Sequence, residues 1–373
     1  MLLVNDVASV GGGQTVMLEV ARVLIAAGFH AHVASPPGHL AQQSEAIGAQ
    51  WHEFAYAQRR LLSPRWRLPR AKAVAARITE GRSLAALAAE IGADVVHTGA
   101  LVPHVDLVAA GRRIRARTVW HLNQIHPRYL FAGPLPDKII SISQAALRPA
   151  SVRPGVARRS AVIPIGVDLE RFRPPSADER TKARVALGLP ADAFTVVTVA
   201  RLEPLKGVDL LIRAASRARV KPVLVVIGDA TGFSGGDAYA RGLTDLAAEL
   251  SVDVRFLGAR NDVAQLLWAA DLFAFATRWE AFGLVLAEAS ASGLAVVTTP
   301  TGGCREVIAE GETGLFVDID DVAGFAAALD RLAAVPELRS RLGAAGRRRA
   351  VEAFDLAALG ERLLPHYLEL AAS

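Results

Sequence analysis

The sequence predicts an α/β protein built from two doubly wound, parallel-sheet domains in tandem. Three observations carry this expectation. The chain has 373 residues, more than one ordinary domain needs and about right for two. Short apolar runs alternate with longer Ala-rich helical runs, the β-α-β-α order of parallel strands joined by crossover helices. The alternation breaks at "AVIPIGVDLERFRPPSADER", where prolines and charges cluster, and then restarts.

In the first half, "MLLVND" reads as a strand and "GGGQTVMLEVARVLIAAG" as glycines opening a helix. "HAHVASP" is a second strand. "SLAALAAEIGA" is a helix, followed by the strand "DVVHTG". "RARTVWHLN" and "DKIISIS" are further strands. In the second half the strands are "FTVVTVARL", "KPVLVVIGD", "VRFLG", "DLFAFAT", "LAVVTTP" and the short "GLFVD". The helices between them are "GVDLLIRAASRA", "GLTDLAAELSV", "VAQLLWAA" and "GLVLAEASASG". Ligands of such sheets bind at the carboxyl ends of the strands, so the strand-end loops are where chemistry is sought.

Composition narrows the function classes. Of the residues, 52% are hydrophobic and 21% charged, a globular balance with apolar surface for two cores. A net charge of +5 on this length does not announce a nucleic-acid binder. The one cysteine, Cys304, rules out an internal disulfide and fits a reducing, cytoplasmic setting. The opening "MLLVNDVASVGGG" has no basic n-region and does not read as a signal peptide. No uninterrupted apolar stretch approaches ~18 residues, so no spanning helix is expected.

Three strand-end constellations stand out. In "RWEAFGLVLAEA", Arg278–Gly283 is the loop after a buried strand and a helix begins near Leu284. The backbone N–H groups of Phe282, Gly283 and Leu284 are then orphan donors at a helix N-terminus, suited to an anion, and glycine permits close approach. Glu280 and Glu288 flank that site. Carboxylates repel phosphate but bind hydroxyls, which suggests a diphosphate between polyols. The plainer reading is a first-turn glutamate and a solvated one. In "ARLEPLKG", Arg201 and Lys206 lie across a strand-end loop. Arg binds a diphosphate as a fork and Lys as a point charge, although such pairs are often mere surface charge. In "SVGGGQT", Gly12 and Gly13 permit close backbone approach, and tight packing explains them equally well. His121 in "VWHLN", His97 in "VVHTG" and Ser143 in "SISQ" also end strands. His97 and Ser143 are candidates for the acceptor side. No metal-ligand spacing and no Ser-His-Asp order is present.

The ordered set "IPIGVDLERFRP", "ARLEPLKG", "VIGD", "FLG", "EAFGLVLAEASASGLAVVTTPTGGCREVI" and "GETGLFV" resembles the retaining GT-B glycosyltransferases of family 4 (glycosyl transferases group 1) across the whole second half. The first half resembles them more loosely, through "GGG" and "VWH". Two features depart from the family pattern. Ala200 stands where Gly usually precedes the Arg-Leu pair, and "ATGFSGGDAYARG" after "VIGD" is longer and richer in glycine than usual.

The resemblance implies a GT-B fold of two Rossmann-like domains facing a central cleft. The expected divisions are an acceptor-side domain over 1–169, a nucleotide-sugar domain over 170–353, and a C-terminal helix over 354–373 returning to the first domain. It implies that Arg201 and Lys206 neutralise the donor diphosphate and that Phe282, Gly283 and Leu284 offer backbone donors. It places Glu280 against the transferred sugar, Glu288 on the nucleotide ribose, Gly12 and Gly13 at the diphosphate, and His121 near the reacting sugar. The implied activity is transfer of a hexosyl group, with retention, from a UDP- or GDP-sugar to an acceptor hydroxyl. No cofactor and no metal is expected, because the cationic loop and the helix terminus do a metal's work. The rivals are a nucleotide-sugar 2-epimerase on the same fold and a non-catalytic nucleotide-sugar-binding partner.

One stretch lies outside this reading. From Gln58 to Ile78 the chain carries Arg59, Arg60, Arg65, Arg67, Arg70, Lys72 and Arg77 and no acid, with Trp66 and leucines interleaved. It suits peripheral contact with an anionic membrane face or an anionic acceptor. A solvated basic loop, with a helix near Arg70–Glu80, is the alternative.

Overall fold

A computed structural model describes all residues except 7, 9–11, 55–69, 100–107, 109–110, 125–134, 152, 232–234 and 373, together with the side chains of 70–78 and 80. The chain forms two compact units. The first comprises Met1–Ile165 and Ala358–Ser373, the second Gly166–Ala357. The boundaries lie between Ile165 and Gly166 and between Ala357 and Ala358. They sit where Val167 N donates to the Phe354 carbonyl (2.6 Å) and Leu356 N donates to the Val167 carbonyl (3.0 Å), which knits both crossing segments into the second unit.

The first unit holds a seven-stranded parallel sheet. Its strands are β1 (Leu2–Val4), β2 (His32–Ser35), β3 (Gln50–Glu53), β4 (Val95–Thr98), β5 (Arg117–Leu122), β6 (Lys138–Ser141) and β7 (Ser160–Val162). Their order is β3-β2-β1-β4-β5-β6-β7. The edge strands β3 and β7 are additions to the sequence reading. "QWHE" and "SAV" contain no fully buried residue, so neither shows the apolar run that marks the central strands. The helix Arg70–Glu90 is continuous and absorbs the two shorter helices expected there. The C-terminal helix Leu359–Ala372 packs against the helix Gly12–Ala26 and buries Leu359, Leu363, Tyr367 and Leu370.

The second unit repeats the plan with β8 (Thr195–Val199), β9 (Val223–Ile227), β10 (Val254–Phe256), β11 (Leu272–Phe275), β12 (Val296–Thr298) and β13 (Gly314–Phe316), in the order β10-β9-β8-β11-β12-β13. All six are Val-, Leu- or Phe-rich runs and coincide with the segments read from the sequence. In both sheets the first strand of the unit lies beside the fourth, so the order reverses between β1 and β4 and again between β8 and β11. Chains leaving two such neighbours turn to opposite faces and open a crevice at their carboxyl ends.

The amino ends of β8 and β11 are tied by one carboxylate. Asp271 accepts from Thr195 N (2.9 Å), from Arg180 (2.7 Å) and from Arg184 (3.4 Å). Arg184 is buried and also donates to the carbonyls of Pro190 (2.8 Å), Ala193 (2.7 Å) and Ala269 (3.1 Å). Removing one partner of such a pair strands a buried charge, a loss of about 3–5 kcal/mol. We therefore expect Asp271→Ala to lower the protection of β8 and β11 amides in hydrogen exchange by roughly that amount. Asp253→Ala, at the exposed Arg255 pair, should change it by less than about 1 kcal/mol. Equal effects from the two variants would refute the tie.

Candidate functional site

The second unit's crevice is built from the loops after β8 and β11. The β8 loop turns through a 3₁₀ segment, Pro204–Lys206, and enters the helix Val208–Arg217 at Gly207. Gly207 has φ 64°, and a Cβ there would lie 2.1 Å from the Ala276 carbonyl oxygen. Only glycine lets the two loops touch, backbone to backbone. Arg278 completes the junction. Its N–H donates to the Leu205 carbonyl (2.7 Å), and its guanidinium binds Asp209 (3.2 Å), Asp320 (2.7 Å) and the Pro204 carbonyl. Asp209 also accepts from the Tyr239 hydroxyl (2.9 Å), and the Arg278 and Tyr239 hydrogen bonds hold its carboxyl below the usual range against the opposing effect of burial.

This junction brings Lys206 and Glu280 together. Their side chains pair at 2.9 Å, each 18% exposed, and Lys206 Nζ also lies 5.7 Å from the centre of the Phe275 ring. The second Glu280 oxygen accepts from Ala281 N (2.9 Å). Arg201 is placed differently. Its side chain is 52% exposed and pairs with Glu203 (2.7 Å), itself buried. The two cations that the sequence presents as a free pair are thus each matched with an acid. Glu203 was not legible as a partner, because glutamates two residues from an arginine are common on surfaces.

Phe282 is buried and stands edge-on to Phe354, 5.6 Å between ring centres. Gly283, with φ 92°, caps the helix Leu284–Ala291. The first bonds of that helix run from Leu286 N and Ala287 N to the Gly283 carbonyl, so the N–H groups of Phe282, Gly283 and Leu284 precede its ladder. Glu280 reaches toward this terminus, its Cγ 3.6 Å from where a Gly283 Cβ would stand. Glu288, on the next turn, is not a solvated glutamate. It keeps a partly accessible edge, but burial pushes its carboxyl up to about 7, against the positive charge of Arg171. Ala200 is buried, and the close backbone approach at this position is made by Gly228, whose Cβ would stand 2.0 Å from the Ala200 carbonyl oxygen.

In the first unit, Gly12 and Gly13 open the helix Gly12–Ala26 as expected. His97 lies in β4 and His121 in β5, both buried, with their rings stacked 5.4 Å apart at 19°. Burial holds both imidazoles neutral, His121 with its pKa lowered to about 3 and His97 lowered further by His121. His97 Nδ1 meets the hydroxyl of Tyr367 at 2.9 Å, a residue the sequence reading did not single out. Ser143 is buried, and its hydroxyl accepts from Ala146 N (2.9 Å), an N-cap for the helix Gln144–Ser151. Arg59, Arg60, Arg65 and Arg67 lie outside the described residues, as do the side chains of Arg70, Lys72 and Arg77. Among the described residues no helix is long and apolar enough to cross a membrane, and no group of three His, Cys, Asp or Glu side chains could hold a metal ion.

Comparison with known proteins follows this layout. The sequence model of the family described as Glycosyl transferases group 1 matches residues 179–349, and that of Glycosyltransferase Family 4 matches residues 10–171. The chain belongs to the group 1 glycosyltransferases. The D-inositol 3-phosphate glycosyltransferase of Saccharomonospora viridis is 41% identical over 217 residues, 56% of this chain and 49% of that protein. Its counterpart in Thermomonospora curvata is 39% identical over 223 residues, 56% of this chain and 51% of that protein. The match thus spans about half the length of these curated relatives. Among solved structures, Anabaena Alr3699/HepE in complex with UDP-glucose superposes with a TM-score of 0.85 at 22% identity, covering 99% of both chains. The glycosyltransferase WaaG superposes with a TM-score of 0.74 at 19% identity, covering 97% of this chain and 98% of its own. The fold of this group 1 member is GT-B.

Glu288 carries a testable consequence. Its folded pKa of about 7 exceeds the ordinary 4.5. A carboxyl raised on folding costs no stability below its unfolded pKa, and the cost grows from about pH 4.5 to pH 7 and then levels. Glu288→Gln should therefore match wild type near pH 4.5 and exceed it at pH 8 by up to about 3 kcal/mol. Urea unfolding of both proteins at the two pH values measures this. A pH-independent difference would contradict the assignment.

Proposed function

We propose that this protein is a retaining glycosyltransferase that moves a hexosyl group from a nucleotide diphosphosugar to an acceptor hydroxyl. The observation that carries the reading is the Lys206–Glu280 pair at the N-terminus of the helix Leu284–Ala291, at the point where strand order reverses. An ammonium and free backbone N–H groups at such an edge suit a diphosphate. Glu280 beside them, and Glu288 one turn on, suit hydroxyls. A UDP-sugar is the donor we favour, since Alr3699/HepE is described in complex with UDP-glucose. The relatives that match about half their length are D-inositol 3-phosphate glycosyltransferases, which makes inositol 3-phosphate the first acceptor to try. We place the reaction in the cytoplasm.

In this mechanism the donor diphosphate draws Lys206 away from Glu280. As the bond from the anomeric carbon to the phosphate oxygen breaks, charge collects on the leaving diphosphate, and Lys206, Arg201 and the helix terminus stabilise it. The acceptor oxygen bonds to the anomeric carbon on the face the phosphate leaves. Its proton passes to the departing phosphate oxygen. No enzyme nucleophile and no metal is required. Glu288 holds ribose hydroxyls in ground and transition states alike, so it serves binding more than rate.

Lys206→Ala should lower turnover by about 10²–10³-fold, the loss of one preorganised electrostatic donor. Glu288→Gln should chiefly weaken donor binding. Thermal scans against UDP-glucose and GDP-mannose identify the donor, since a ligand at a hundredfold excess over its Kd adds about 2.7 kcal/mol. Product anomer by NMR and turnover in EDTA complete the test. Inversion, or turnover lost in EDTA and restored by metal, would overturn the mechanism. Conversion of the donor sugar without any acceptor would identify a 2-epimerase instead.

A further inference from the structure

Residues 298–303, "TTPTGG", carry the chain out of β12 and have no part in the donor reading. β11 and β12 pair in parallel as far as Phe275 and Thr298. Pro300, two residues on, has no N–H to continue the ladder. Yet much of the loop after β11 is buried, and its carbonyls need donors. Threonine hydroxyls supply them. Thr298 Oγ1 donates to the Phe275 carbonyl (2.8 Å), Thr299 Oγ1 to that of Thr277 (2.5 Å) and Thr301 Oγ1 to that of Arg278 (3.4 Å). Gly303 N then donates to the carbonyl of Glu280 (3.2 Å).

This row of bonds decides where the opposite groups of the same peptides point. A trans peptide directs its C=O and the following N–H to opposite sides. With the Glu280 carbonyl turned to Gly303, Ala281 N points the other way and donates to Glu280 Oε1 (2.9 Å). The second oxygen of that carboxylate, Oε2, meets Lys206 Nζ (2.9 Å). The next peptide is set in the same sense. A Cβ on Gly303 would stand 2.3 Å from the Ala281 carbonyl oxygen and 2.4 Å from Phe282 Cα, so that carbonyl lies against the glycine and Phe282 N faces away from it. The N–H groups of Phe282, Gly283 and Leu284 have no protein acceptor among the described residues.

We propose that Thr299, Thr301 and Gly303 are positioning residues for the donor diphosphate. They act through the Glu280 loop and not on the ligand itself. By drawing the carbonyls of that loop toward the β12 segment, they aim the N–H groups of Phe282 and Gly283, and the Glu280 carboxylate, into the crevice. The inference deepens the donor reading and rests on it for the identity of the anion. Threonine suits the task because its branched Cβ restricts χ1 and so holds Oγ1 in one direction. Donors fixed in advance need no rearrangement when charge arrives, so the residues behind the loop bear on affinity. Thr298 is the internal comparison. It makes the same kind of bond one step earlier, to the last residue of β11, whose peptide the sheet already fixes.

The test uses the full ¹⁵N-labelled chain and inorganic pyrophosphate. In wild type, pyrophosphate should move the amide signals of Phe282 and Gly283. Thr299→Val removes the hydroxyl at nearly constant size. It should displace those signals in the ligand-free protein and lower pyrophosphate affinity by about tenfold, the equivalent of one ordinary hydrogen bond. Thr299→Ser should return both to wild-type values. Thr301→Val should lower affinity by a smaller factor, its bond being longer. Thr298→Val should lose resistance to urea as Thr299→Val does, and keep wild-type affinity. Unchanged affinity in a folded Thr299→Val, equal losses of affinity in Thr298→Val and Thr299→Val, or no rescue by Thr299→Ser would each overturn the proposal. So would a wild type whose Phe282 and Gly283 signals ignore pyrophosphate. Nucleotide sugars separate this inference from the reading beneath it. The expected pyrophosphate pattern without binding of UDP-glucose or GDP-mannose removes the glycosyltransferase reading and keeps the positioning.

Discussion

The site in the second unit depends on one contact, the approach of Gly207 to the Ala276 carbonyl. Parallel strands deliver their loops to one edge of a sheet, but adjacency of strands alone does not bring loop side chains within bonding distance. The missing Cβ at Gly207 does, and Arg278 holds the contact by bonding the β8 loop through both its backbone and its guanidinium. Lys206 and Glu280 meet because the residues beside each are fastened to one another. At the far end of the same strands, Asp271 performs the corresponding tie between Thr195 and the buried Arg184. The crevice between β8 and β11 is thus set by constraints at both ends, and its walls hold their geometry before any ligand arrives.

The electrostatics of the two units differ in kind. In the second unit each of these cations has an acid beside it, Glu280 at Lys206 and Glu203 at Arg201, so the resting site carries little net charge and an anion entering it would compete with a carboxylate for each cation. Glu288 stands apart from this matching. It is held where ionisation is opposed, an arrangement that costs stability above the ordinary carboxylate range. The first unit relies on neutral groups. Burial keeps His97 and His121 uncharged.

By itself the sequence determined the element types and order, the position of each strand-end loop, and the residues these loops carry. It did so because burial along a segment imposes a period, and because glycines and helix starts mark where a parallel strand ends. All six strands of the second sheet are legible on this basis, while "QWHE" and "SAV" are not, since an edge strand need not be apolar. The tertiary structure alone decided the pairings. Lys206 and Glu280 are 74 positions apart, and Tyr367 and His97 are 270 apart. Local pattern carries no term for such distances; they close only when strand order places β8 beside β11 and when the last helix of the chain packs on the first. For the same reason the sequence marks Glu288 as a candidate but shows nothing of its burial until the neighbours that enclose it are in place.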